Sequence, residues 1–153
     1  MSVYVSKSLE DTALLGKRIA GKIKEDSVIA YFGGMGMGKT TLTRSIVEAL
    51  GGGDCVSSPT FAIVNEYQGK CSIYHFDMYR VTNWDDLYST GFFDYLDNGI
   101  IIIEWSENIE GALPGERIDI DISAPSHDDT RVFRISGTEL PPSINKESEL
   151  KKI

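Results

Sequence analysis

The segment Gly33-Gly34-Met35-Gly36-Met37-Gly38-Lys39-Thr40 constrains this chain more than any other. It follows a short apolar run, Ser27-Val28-Ile29-Ala30-Tyr31-Phe32, and opens a helical pattern that extends from Lys39 to Leu50 and closes at Gly51-Gly52-Gly53. The apolar run is too short for a buried helix and reads as a central parallel strand. Strand, then GxxxxGK[ST], then helix is the phosphate-binding loop in its proper setting. Its glycines let the backbone bend so that successive N–H groups face phosphate oxygens, and the helix N-terminus adds partial positive charge. Lys39 is then positioned for β- and γ-phosphates, and the Thr40 hydroxyl for Mg²⁺.

A P-loop needs a second, acidic partner for the cation, usually at the end of a neighbouring buried strand. Ile100-Ile101-Ile102-Ile103 is wholly apolar and β-branched, which suits a strand buried on both faces, and Glu104 follows it directly. A carboxylate there is costly to bury unless it is paired or near metal. His75-Phe76-Asp77-Met78-Tyr79-Arg80 gathers further polar groups behind a strand. Read from the residues alone, Asp77 orients a water or holds Mg²⁺ through water with Arg80 in support, or else the two form an ordinary ion pair at a strand end. The Ser58-Pro59-Thr60-Phe61 hydroxyls either sense a γ-phosphate or cap a turn.

The remaining chain reads as an α/β domain with a mostly parallel central sheet, an antiparallel flank and helices on both faces. Ser8 caps a helix with Asp11 as an acidic near-match to a capping box, and Leu15, Ile19 and Ile23 recur at helical spacing. Residues 61–67 and 71–76 form two strands joined at Gln68-Gly69-Lys70. Residues 84–96 are loosely helical and broken by Gly91, and residues 116–122 and 131–135 alternate as half-exposed strands. Residues 1–137 make one domain, and residues 138–153, with Pro141-Pro142 and a charged finish, a loose polar tail.

Composition narrows the function classes. A length of 153 residues favours one domain, and a formal charge of −8 speaks against an autonomous nucleic-acid binder. Cys55 and Cys71 lack metal-ligand spacing and read as reduced thiols. Met1 to Lys7 has no apolar stretch of signal-peptide length, and no run approaches the roughly 20 residues that span a bilayer, so the expected location is the cytoplasm, with no membrane partner.

Together Gly33 to Thr41, Ser58 to Phe61, the His75 to Arg80 motif and Glu104-Trp105 resemble the TsaE (YjeE) family, in order and rough spacing from about Ser8 to Ile135. The resemblance implies a P-loop ATPase with ATP and Mg²⁺ as cofactors, slow when alone. By that resemblance it acts with a TsaB–TsaD complex, driving or resetting it as it makes the N6-threonylcarbamoyl modification of adenosine in tRNA. Contact with tRNA is then indirect, through partners. It further implies that Thr40 and Glu104 bind Mg²⁺ and that Asp77, with Lys39 and Glu104, serves catalysis. Nucleotide contacts are implied for Leu9, Met35, Gly36, Met37, Gly38, Lys39, Thr40, Thr41, Thr60, Trp105 and Arg131. Residues 58–61 and 75–80 match the family's switch-like segments. This chain departs from the family at Gly34, where Asp is usual, at Met37, where Ala is usual, and at Ser106, often Pro.

Other P-loop classes fit less well. A small-molecule kinase usually carries an arginine-bearing lid, and the arginines here are scattered. A GTPase needs Asn-Lys-x-Asp after a strand, which Asn145-Lys146-Glu147-Ser148 does not supply. A nucleotide-gated assembly module, with incidental turnover, is separated from an ATPase by phosphate release measured with and without partners.

Overall fold

The computed structural model describes residues 1–33, 38–53, 64–126 and 128–140. Its elements are β1 (Ser2–Ser6), α1 (Leu9–Ala20), β2 (Val28–Phe32), α2 (Lys39–Ala49), β3 (Val64–Gln68), β4 (Ser72–Asp77), α3 (Trp84–Ser89), α4 (Phe92–Tyr95), β5 (Ile100–Glu104), a 3-10 segment (Ser106–Ala112), β6 (Ile118–Ser123) and β7 (Arg131–Ser136). The seven strands form one sheet in the order β1-β7-β6-β2-β5-β4-β3. The central four, β6-β2-β5-β4, run parallel, and both flanks are antiparallel.

The two apolar runs lie side by side at the centre, with Ile29 opposite Ile102 and Ala30 opposite Ile103. All five residues of β5 are buried, because helices cover the sheet on both faces. On one face, Leu15 and Ile19 of α1 and Leu42, Ile46 and Val47 of α2 pack on Ile29, Tyr31, Ile100 and Ile102. On the other, Leu87 of α3, Phe92 of α4 and Ile109 pack on Val28, Phe76, Ile101 and Ile103. Burying an isoleucine of this kind stabilises by about 1.5–3 kcal/mol.

The helix start at Ser8 is as expected: its hydroxyl accepts from Asp11 N–H at 3.1 Å, and the Asp11 carboxylate accepts from Lys7 N–H at 2.9 Å. Gly91 divides α3 from α4, and the hairpin of β3 and β4 turns at Gly69. Two features differ from the sequence reading. Residues 2–6, read as no element, form an edge strand on β7 with Tyr4 and Val5 buried. The sheet has antiparallel flanks at both edges, since β6 pairs in parallel with β2 and antiparallel with β7. At the far end, Leu140 packs against the α1–α2 side of the core, and the rest of the tail, 141–153, lies outside the described residues.

Candidate phosphate and cation site

Parallel strands deliver their C-terminal ends to one edge of the sheet, where α/β proteins place ligands. Here that edge collects the end of β2 at Phe32, of β4 at Asp77, of β5 at Glu104 and of β6 at Ser123. The antiparallel flank adds the end of β1 and the start of β7, since Ser6 pairs with Arg131. Leu9, the first residue of α1, therefore stands at this edge too, with 71% of its surface exposed.

Gly33 leaves β2 at φ +125°, where a Cβ would stand 2.8 Å from the Ile122 carbonyl oxygen, so neither the angle nor the space suits a side chain. Gly38 re-enters at φ +92° as the N-cap of α2 and offers no side chain to cap it. The first N–H groups of α2 thus receive no side-chain cap from Gly38, the arrangement that suits an anion. Thr40 and Thr41 lie in this first turn. Two residues on, Thr43 Oγ1 donates to the Tyr31 hydroxyl at 3.0 Å, pinning α2 to β2. Burial pushes the Tyr31 phenol well above its ordinary range, so it stays a neutral anchor.

Lys39 is 6% exposed, and its Nζ donates to the Gly33 carbonyl at 3.0 Å. The same ammonium stands 5.1 Å from the centroid of the Trp105 ring. Trp105 holds the left-handed conformation, φ 59° and ψ 43°, as the chain turns from β5 into the 3-10 segment. A non-glycine residue there stores strain of about 1–3 kcal/mol, typical of ligand sites. The Tyr79 ring lies tilted against Trp105, with 5.0 Å between their centroids.

The carboxylates face the same side. Asp77 and Glu104 are direct register partners at the ends of adjacent parallel strands, and paired residues share a face. Glu104 is 5% exposed, and His75, fully buried, meets its Oε2 through Nε2 at 3.1 Å. Asp77 Oδ1 accepts from Tyr79 N–H at 2.9 Å. Partial burial raises the Asp77 carboxyl above its usual range, the Tyr79 N–H opposes this, and the Glu104 charge adds to the rise. The support expected from Arg80 is not found: Arg80 is exposed, and no Asp77–Arg80 ion pair occurs among the described residues. A backbone N–H two residues on supplies the partner instead, since it costs no side-chain entropy.

Oxygen donors from Thr40 and Glu104, beside a helix start without a side-chain cap, suit Mg²⁺, which takes one or two protein ligands and completes its shell with phosphate and water. Among the described residues no three His, Cys, Asp or Glu side chains form a metal cage. Arg131 starts β7, its guanidinium tied to the Asp128 and Thr130 carbonyls at 3.0 and 2.9 Å, and its Cγ lies 4.0 Å from where a Cβ on Gly38 would sit. So Leu9, Gly38, Lys39, Thr40, Thr41, Asp77, Glu104, Trp105 and Arg131 all share this edge. Met35, Gly36, Met37 and Thr60 lie outside the described residues.

The sequence reading assigned no role to the His75 contact with Glu104, nor to Asn108, whose Nδ2 donates to the carbonyls of Met78 and Tyr79 at 2.9 and 3.3 Å. Strand alternation was the available signal for the first, because His75 and Asp77 must face the same way.

A family model described as "Threonylcarbamoyl adenosine biosynthesis protein TsaE" matches residues 6–133. The chain belongs to the TsaE family. The family's span therefore runs from the end of β1 to β7 and takes in the whole edge just described. Among curated relatives, the tRNA threonylcarbamoyladenosine biosynthesis protein TsaE of Haemophilus influenzae is 41% identical over 125 residues, covering 78% of this chain and 77% of that protein. The protein of the same name from Bacillus subtilis is 36% identical, covering 80% and 78%. Among solved structures, the crystal structure of Bacillus subtilis YdiB superposes with a TM-score of 0.65 at 29% identity, covering 99% of this chain and 91% of that one. The fold is thus the P-loop NTPase-like α/β architecture of TsaE proteins.

Proposed function

We propose that this TsaE family member binds ATP with Mg²⁺ at the C-terminal edge of its sheet and hydrolyses it slowly. The hydrolysis drives or resets a TsaB–TsaD complex that makes the threonylcarbamoyl modification of adenosine in tRNA. The observation that carries the reading is the arrangement of Lys39, Asp77 and Glu104. A buried ammonium is held at the Gly33 carbonyl, next to two carboxylates on neighbouring strand ends. The names of its relatives, tRNA threonylcarbamoyladenosine biosynthesis proteins, support the pathway.

Each residue has a definite task in this reading. Lys39 places a point charge on the β- and γ-phosphates, and the uncapped start of α2 adds N–H donors. Thr40 and Glu104 hold Mg²⁺, which when bound neutralises charge on the phosphate oxygens. Asp77, its carboxyl made a better proton acceptor by partial burial, orients the attacking water and takes its proton as the bond from the γ-phosphorus to ADP breaks. Leu9, Trp105 and Arg131, all on this edge, supply further nucleotide contacts. The cell compartment we propose is the cytoplasm; no helix among the described residues is long and apolar enough to cross a membrane.

The decisive experiment is equilibrium titration of Lys39→Ala with ATP and Mg²⁺ beside a circular dichroism spectrum. The variant should keep the fold and lose triphosphate binding; near-normal affinity would sink the phosphate-site reading. Phosphate release measured with and without purified TsaB–TsaD then tests the coupling. A rate that the complex leaves unchanged would overturn the partner half of the proposal.

A further inference from the structure

One surface plays no part in the site just described. On the outer side of α3 and α4, Trp84, Tyr88 and Phe93 are 55%, 64% and 36% exposed. They form a cluster of their own: Trp84 stacks with Phe93 at 6.5 Å between centroids, and Tyr88 meets Phe93 at 5.2 Å. Beside them a groove of about 320 Å³ runs between α3 and the 3-10 segment, walled by Val81, Trp84, Leu87, Asn108 and Ile109. Large aromatics gathered on a surface, with a pocket at their side, are the composition of an interface centre.

The charge around them says what kind of surface fits. From Val81 to Glu116 the chain has eight acidic residues and no Lys, Arg or His. Asp85, Asp94, Glu107 and Glu110 are exposed around the cluster and groove. A second copy would bring an acidic rim against an acidic rim, which costs several kcal/mol when juxtaposed. The chain's own tail sets off from the wrong side, since Leu140 is seated against the α1–α2 side of the core while this patch covers the α3–α4 side.

We propose that the face built by α3, α4 and the 3-10 segment docks a protein partner whose apolar contact is ringed by Lys and Arg. The proposal rests on the partner reading given above and assigns that partner a surface. It also supplies a physical route to the phosphate site. Asn108, in the groove wall, holds the carbonyls of Met78 and Tyr79, directly after Asp77. The Tyr79 ring in turn lies on Trp105, beside Lys39. A partner that prefers one setting of Asn108 thereby biases the loop behind Asp77.

The test uses the full chain and purified TsaB–TsaD in calorimetry, with two double variants: Trp84→Ser with Tyr88→Ser, and Asp85→Lys with Glu110→Lys. Exposed substitutions of this kind leave the fold intact, and the charge reversals keep the proposal refutable if the aromatic pair misfolds. Partner Kd should rise about tenfold or more in each, as for loss of interface anchors. ATP Kd should stay within about twofold, because none of the four residues touches the phosphate site. Wild-type partner affinity should also weaken as ionic strength rises. Wild-type binding with unchanged Kd in both variants would overturn the surface while leaving the partner reading intact. A wild-type chain that does not bind TsaB–TsaD would overturn both. Self-association of the wild type, abolished by the aromatic pair, would overturn the proposal in favour of a second copy.

Discussion

Glu104 and His75 stand 3.1 Å apart, His75 fully buried and Glu104 almost so. With Glu104 ionised, His75 Nε2–H is the donor, and the other ring nitrogen, Nδ1, has no hydrogen-bond partner among the described residues. A bare ring lone pair is cheaper to bury than a bare N–H, which favours the Nε2–H tautomer. His75→Phe keeps the shape and removes the donor, so it should lower stability by about 1–3 kcal/mol in urea denaturation. An unchanged midpoint would mean that the contact contributes nothing. Asp77 behaves in the opposite sense. Its carboxyl is raised by burial, so ionisation at neutral pH opposes folding. The linkage sign follows: the folded state favours the protonated acid, and that advantage is lost as pH rises through the folded value. Asp77→Asn keeps the acceptor for Tyr79 N–H without the charge. It should melt higher than wild type at pH 7, with the gap closing as pH falls through the carboxylate range. Its hydrolysis should meanwhile fall roughly 10²-fold, the scale of a positioned acid–base group. A variant both less stable and fully active would refute both assignments. Lys39, Asp77 and Glu104 were legible because each ends a strand or opens a helix in a short motif. The His75 contact was not, because it joins residues 29 apart and depends on strand register.

At the level of elements, the approach of α1 to α2 decides where the phosphate loop sits. Gly16 makes it possible, for a Cβ there would stand 2.4 Å from the Ser45 Cβ. Both atoms belong to helix surfaces that cannot swing aside. Gly16→Val should therefore cost about 1–3 kcal/mol through overpacking. Because α2 begins at Lys39, it should also weaken ATP binding from a distance. Thermal melts and ATP titration of the same variant check both halves; loss of stability with normal ATP affinity would show that α2 does not transmit the shift. The helices and central strands were readable from period and caps, such as Ser8 ahead of α1 and the unbroken isoleucines of β5. The edge strand β1 was not. Its five residues are secured by pairing with β7, which begins at Arg131, and no local pattern announces a partner so far along the chain.

Taken whole, the molecule is acidic, with 23 carboxylates against 15 Lys and Arg. Phosphate contacts to RNA would be few, so the isolated chain should bind tRNA more weakly than the roughly 10⁻⁴–10⁻⁶ M of non-specific basic binders. Fluorescence anisotropy with labelled tRNA measures this, and micromolar binding by the chain alone would contradict an indirect role. The placement of the two tryptophans has a further consequence, an optical one. Trp105 has a cation above its ring and sits at the phosphate edge, whereas Trp84 is more than half exposed on α3. One chromophore therefore watches nucleotide arrive, and the other watches the aromatic face become covered. Trp84→Phe should leave an emission that responds to ATP, and Trp105→Phe should leave one that responds to a partner and stays silent to ATP. The protein carries two intrinsic dyes, one at each face, and a partner-induced change in the Trp105 signal would report the coupling through Tyr79.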